Sequence, residues 1–179
     1  MVRIKSMKVL LTAVLASPLI AAAAPAPLPT VPSVDLSRYA GAWYEVAVIP
    51  NRFQKQCVAD TQARYTPEKG DVKVENRCRK ADGSIDSIQG KAKPVEGSHN
   101  AKLKVTFFWP FKGDYWVLDL DPEYRYVLVG EPKRKYGWVL SRSPQPDEGT
   151  LNKLLDRAAE LGYDRAAFHL TPQTQPLEP

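Results

Sequence analysis

Between Trp43 and Arg142 the chain breaks into eight short runs of alternating or continuous apolar residues, each closed by turn-forming residues. That punctuation restricts the fold more than any other feature. The runs are Trp43 to Ile49, Cys57 to Tyr65, Val72 to Cys78, Ser84 to Lys93, Lys102 to Phe108, Tyr115 to Leu120, Tyr124 to Gly130 and Tyr136 to Arg142, parted by turns such as "TPEKGD", "KADGS", "VEGSHN" and "WPFKGD". Short connections between consecutive strands imply an antiparallel up-and-down sheet, and closing such a sheet removes its exposed edges. A two-layer sandwich is the competing arrangement. Faces favour closure: Lys102, Lys104 and Thr106 alternate with Leu103, Val105 and Phe107, whereas the last three runs are apolar on both faces. Both-sided apolarity is expected where a helix covers the outside. That helix follows directly, because Leu151, Leu154, Leu155, Ala158 and Leu161 recur at helical spacing and Gly162 stands at the stop position. The expected fold is therefore all-β, an eight-stranded antiparallel up-and-down β-barrel with one C-terminal α-helix packed outside, and a further short extended piece near Ala167 to Leu170.

Before the first strand, Arg3, Lys5 and Lys8 precede an apolar run ending in four alanines, the layout of a cleavable export signal. Residues 1–23 are read as that signal, 24–35 as a mobile proline-rich linker, 36–171 as the single folded domain and 172–179 as a flexible tail. No cysteine closes the apolar run, so a lipid-modified N-terminus is not expected, and the implied location is periplasmic or secreted, with outer-membrane association as a further option. Without its signal the chain carries 22 basic and 20 acidic residues, a net charge of +2. So small a charge, with no zinc-finger, RRM or helix-turn-helix pattern, speaks against nucleic acid as a partner. His99 and His169 are far apart, so no metal site and no cofactor is expected.

Cys57 opens the second run and Cys78 closes the third. Both fall at the same end of the barrel, on the same face, near neighbours across a hairpin. In an exported chain this pair reads as a disulfide contributing about 3 kcal/mol. The rival reading is a reactive thiol at Cys57. At the opposite end Trp43 faces inward and needs a cover, and Arg142, which shares the face of Trp138 and Leu140, ends beside it. A guanidinium stacked on the indole and bonded to first-turn carbonyls would close that end.

"GAWYE", "DPEYRY" and "WVLSRSP" resemble the three signature regions of the lipocalins, placing Gly41, Trp43, Asp121, Tyr124 and Arg142 in structural roles. "FFWPF" and "YVLVGEP" resemble stretches of the branch that holds the bacterial lipocalins and apolipoprotein D. Asp121-Pro122-Glu123-Tyr124 departs from the Thr-Asp-Tyr of the second region, and the missing N-terminal cysteine departs from the lipoprotein members. The resemblance implies a cavity rather than a filled core. Strand alternation assigns to it Glu45, Ala47, Thr61, Val105, Phe107, Tyr115, Val117, Tyr126, Leu128, Trp138 and Leu140. Arg52, Phe53, Trp109, Phe111 and Lys112 fall on loops at the open rim, where aromatic and basic residues together suit contact with a membrane surface. The expectation is a non-enzymatic carrier, monomeric or weakly dimeric. Its partner would be a small hydrophobic ligand, a fatty acid or lysophospholipid, bound for envelope lipid transport, storage or repair. The alternatives are a lipocalin-type enzyme or lipid-damage scavenger using a cysteine thiol, and a haem binder, for which neither histidine is well placed.

Overall fold

The computed structural model describes residues 26–179, so the expected signal at 1–23 lies outside the described residues. A one-turn helix α1 (Leu36–Tyr39) leads into eight strands: β1 (Gly41–Val48), β2 (Cys57–Glu68), β3 (Asp71–Lys80), β4 (Ile85–Pro94), β5 (Lys102–Thr106), β6 (Gly113–Leu120), β7 (Tyr126–Gly130) and β8 (Gly137–Ser141). Each pairs antiparallel with the next, and β1 pairs with both β8 and β2, which closes the barrel. Helix α2 (Glu148–Glu160) follows, then a single 3-10 turn, and then β9 (His169–Leu170), which pairs outside the ring with β1.

Two separate cores result. One lies between the barrel wall and α2, where Leu151, Leu154, Leu155 and Ala158 pack on Val46, Ala47, Leu118, Leu128 and Val139. The Asp147 carboxylate starts α2 by accepting from the Thr150 N–H at 2.8 Å. The other fills the lower barrel with Trp43, Tyr65, Val72, Val74, Leu103, Val117, Val127, Val129 and Leu140. The alternating face of β5 and the two-sided apolarity of β6 to β8 thus have one cause, since α2 packs on β6 to β8 and the end of β1 but not on β5.

The interior placement of three residues is corrected. In β1, Glu45 pairs with Leu140 but Ala47 with Val139, because a bulge at Val46 adds a residue and turns Ala47 outward to the helix. In β7 it is Val127 and Val129 that face inward, opposite Leu140 and Trp138, while Tyr126 and Leu128 face α2. That strand is apolar on both faces, so its alternation carried no sign.

The expected mobile linker and free tail are also corrected. Leu28 and Val34 are buried, Val31 N–H donates to the Val117 carbonyl at 3.0 Å, and Val34 N–H to the His99 carbonyl at 3.0 Å. The proline-rich stretch is thus extended but packed. After β9 the chain runs along the outside of β2 and β3. There the buried Asp60 carboxylate accepts from Thr174 N–H, Gln175 N–H and Arg79 Nε, and Gln62 Nε2 donates to the Leu177 carbonyl at 2.8 Å.

Candidate ligand-binding site

One end of the barrel is sealed. Trp43 is fully buried, and its Nε1 donates to the Tyr39 carbonyl at 2.8 Å. The Arg142 guanidinium lies over the ring at 3.9 Å from its centroid and donates to the carbonyls of Ala42 (2.6 Å), Arg38 (2.9 Å), Tyr39 (3.2 Å) and Ala40 (2.9 Å). The carbonyls of Arg38, Tyr39 and Ala40 end α1 without intrahelical partners and that of Ala42 lies in β1, so one planar cation satisfies four acceptors and covers the indole. Gly41, beside the guanidinium, has a φ of +93°, a backbone conformation that suits glycine. Asp121 accepts from the backbone and side chain of Arg125, and Tyr124 passes its carbonyl to Arg142 Nε and its hydroxyl to Asp35 N–H.

The other end is open. Leu103, Val127 and Leu140, nearer the seal, are 0–4 % exposed, whereas Val105 and Phe107 further along β5 and Trp138 further along β8 are only half-buried. Inward-facing side chains that meet solvent define a cup. The Phe107 ring lies against Gly90, where a Cβ would come within 2.6 Å of it, so the small residue of β4 sets the width at that level.

Polar groups inside the cup are few and specific. Tyr115 hydroxyl bonds those of Tyr39 at 2.6 Å and Tyr65 at 2.9 Å. Burial pushes the Tyr65 phenol up to about 12 and those of Tyr39 and Tyr115 well above their usual value, so all three stay neutral. Three hydroxyls joined by two bonds leave one O–H hydrogen outside the cluster's own bonds. Glu45 is 4 % exposed. It accepts from Thr171 Oγ1 at 2.6 Å and from Gln54 Nε2 at 2.7 Å. Gln54, on the loop between β1 and β2, in turn accepts from Trp138 Nε1 at 3.1 Å and Asn51 Nδ2 at 2.7 Å. Burial raises the Glu45 carboxyl to about 7, against the lowering pull of its two donors.

Beside Glu45, β1 and β2 part company. Their pairing runs only from Gly41 opposite Tyr65 to Tyr44 opposite Gln62, and Asp60 adopts a left-handed φ of 56° that turns β2 away. The C-terminal segment occupies the gap: Thr171 N–H donates to the Val46 carbonyl, and Gln173 Nε2 donates to the Glu45 and Thr61 carbonyls, each at 2.9 Å. A cavity of about 300 Å³ remains at this seam, with Glu45 and Thr61 in its wall.

At the rim, Phe53, Phe108, Trp109 and Phe111 are 60 %, 68 %, 86 % and 76 % exposed. Arg52 lies over the Phe53 ring, and a groove of about 490 Å³ lined by Lys91, Lys93, Lys104 and Lys112 runs down the outside of β4 and β5 from the aromatic loop. Cys57 and Cys78 form a disulfide with Cα atoms 5.5 Å apart, and no free cysteine remains. No group of three or more potential metal ligands occurs among the described residues.

The sealed end, open cup and outer helix match one family throughout. The lipocalin-like domain covers residues 34–173. The chain belongs to the lipocalin family. Among its relatives, temperature-induced lipocalin-1 of Arabidopsis thaliana is 42 % identical over 154 residues, 80 % of this chain and 82 % of that protein. The outer membrane lipoprotein Blc of Vibrio cholerae is 38 % identical over 132 residues, 73 % of this chain and 77 % of that one. Insecticyanin of the tobacco hornworm Manduca sexta shares the fold at a TM-score of 0.66, with 23 % identity over 85 % of this lipocalin and 89 % of insecticyanin.

Of the residues expected to line a cavity, Val105, Phe107, Tyr115, Val117, Trp138 and Leu140 lie together in the barrel core, Glu45 and Thr61 lie at the seam, and Ala47, Tyr126 and Leu128 lie outside. Tyr39, Tyr65, Gln54 and Thr171 were missed. Tyr65 shares the face of Ala63 and was open to the same alternation argument. The other three come from a one-turn helix, a loop and the C-terminal segment, where no periodicity reports direction.

Proposed function

We propose that this lipocalin is an exported, non-catalytic carrier that holds one long-chain amphiphile, a fatty acid or lysophospholipid, in the barrel during envelope lipid transport, storage or repair. The carrying observation is the gradient of exposure along one interior, from the sealed Trp43 to the half-buried Trp138 and Phe107. Apolar walls with a few inward hydroxyls and one carboxyl suit a slender chain with a polar end. Relatives that include an outer membrane lipoprotein agree with work at a lipid surface. Catalysis through Cys57 is disfavoured because its sulfur is bonded to Cys78.

The rim supplies the route of loading. Trp109 and Phe111 would enter the interface of a membrane while Lys112, Lys104, Lys93 and Lys91 face anionic headgroups, bringing the open end against the lipid. The protein would act as a monomer or weak dimer in the periplasm or outside the cell. Displacement of a fluorescent long-chain amphiphile by oleate and by lysophospholipid tests the reading. Saturable competition at one site is expected, and the absence of any competition by either class would contradict it.

A further inference from the structure

We propose that Glu45 makes the seam cavity a seat for a positively charged ligand end, so that the barrel selects an ammonium-ended amphiphile over a carboxylate-ended one. The inference rests on the carrier reading and assigns the headgroup chemistry within it.

The contrast between two buried carboxyl groups carries it. Asp60, 0 % exposed, has a cation of its own, Arg79 Nε at 2.6 Å. Glu45, 4 % exposed, meets only neutral donors, Thr171 Oγ1 and Gln54 Nε2, and takes part in none of the ion pairs among the described residues. A buried carboxylate without a counter-ion is costly. This one is not sealed in packing but stands in the wall of the cavity with Val48, Gln54, Thr61 and Thr171. The missing cation is therefore one that a ligand can bring.

The surroundings suit that charge. Gln54 comes from the exposed loop over the cup, so its amide N–H is a donor that an incoming ammonium can replace. The Trp138 indole, bonded to the same Gln54, offers an aromatic surface, which favours cations. A ligand carboxylate at the same place would set two acids side by side and require a shared proton.

Few other charged groups face Glu45. Leu140 and Trp138 of β8 carry none, Tyr65 of β2 is neutral, and Asp60 turns to Arg79. Lys55 lines the outer part of the cavity, and His169 of β9 pairs with Val48 and is exposed. With Glu45 titrating near 7 in the free protein, a bound ammonium draws its proton off. Ammonium affinity should therefore rise from pH 6 to pH 8.

The test uses three probes of one chain length, dodecylamine, dodecanoate and dodecanol, titrated against delipidated protein at both pH values. Dodecylamine is expected to bind at least roughly tenfold more tightly than dodecanoate at pH 8, with the preference smaller at pH 6. Glu45→Gln should abolish the preference, and a cooperative urea unfolding transition reports that the variant is folded. Equal affinity of amine and carboxylate in the wild-type protein overturns the proposal, as does a preference that survives Glu45→Gln. Binding of dodecanol without amine preference defeats this inference alone, whereas failure of all three probes to bind defeats the carrier reading and this proposal with it.

Discussion

Arg142 stands over Trp43 at 3.9 Å from the ring centroid while its guanidinium holds four carbonyls of the segment that enters β1. Removing the guanidinium uncovers a fully buried indole and strands those carbonyls together. Arg142→Ala should cost about 2–4 kcal/mol in urea unfolding, and Arg142→Lys most of that, because an ammonium cannot reproduce the planar fork.

The disulfide joins β2 to β3 at the open end. Cys57 pairs with Lys80, so the bridge to Cys78 runs diagonally across the ladder. The double variant Cys57→Ala, Cys78→Ala should lose about 3 kcal/mol, read as a lower urea midpoint.

Glu45 gives stability a pH signature. Its folded pKa of about 7 lies above the usual 4.5, so its contribution is complete below pH 4.5 and is lost as pH rises through 7. The apo protein should shed about 3 kcal/mol over that window. Glu45→Gln should flatten this part of the profile and be more stable than wild type at pH 8. Parallel profiles for the two proteins would contradict the assignment.

The C-terminal segment acts as a strap. Deleting residues 172–179 removes the Gln173 bridge between β1 and β2 and two of the N–H donors on Asp60. A loss of about 2–4 kcal/mol is expected, together with faster hydrogen exchange at the Asp60 amide, which donates to the Pro172 carbonyl.

At the rim, the double variant Trp109→Ser, Phe111→Ser should weaken association with vesicles containing anionic lipid while leaving ligand affinity in solution unaltered. Co-sedimentation reads the difference, and unchanged association would remove the rim from the account.

These relationships were legible in the sequence to different degrees. Strand number and closure followed from alternation and turn spacing, and the disulfide from hairpin parity. Parity also led from Trp138 through Leu140 to Arg142 and so to Trp43. The same rule failed at Ala47, because a one-residue bulge at Val46 inverts the later assignments within β1 and leaves no mark in composition. It failed again at Tyr126 and Leu128, where both faces of β7 are apolar. The linker and tail were misread for another reason. Their prolines forbid helix but do not say whether an extended chain meets a partner, and the partners, Val117 and Asp60, lie far away in sequence.

The most direct test of the carrier reading is native mass spectrometry of the protein purified from the cells that make it, followed by extraction and identification of co-purifying lipid. One amphiphile bound per barrel is the expected result. A protein that is empty as isolated, and stays empty after challenge with fatty acids and lysophospholipids, would contradict it.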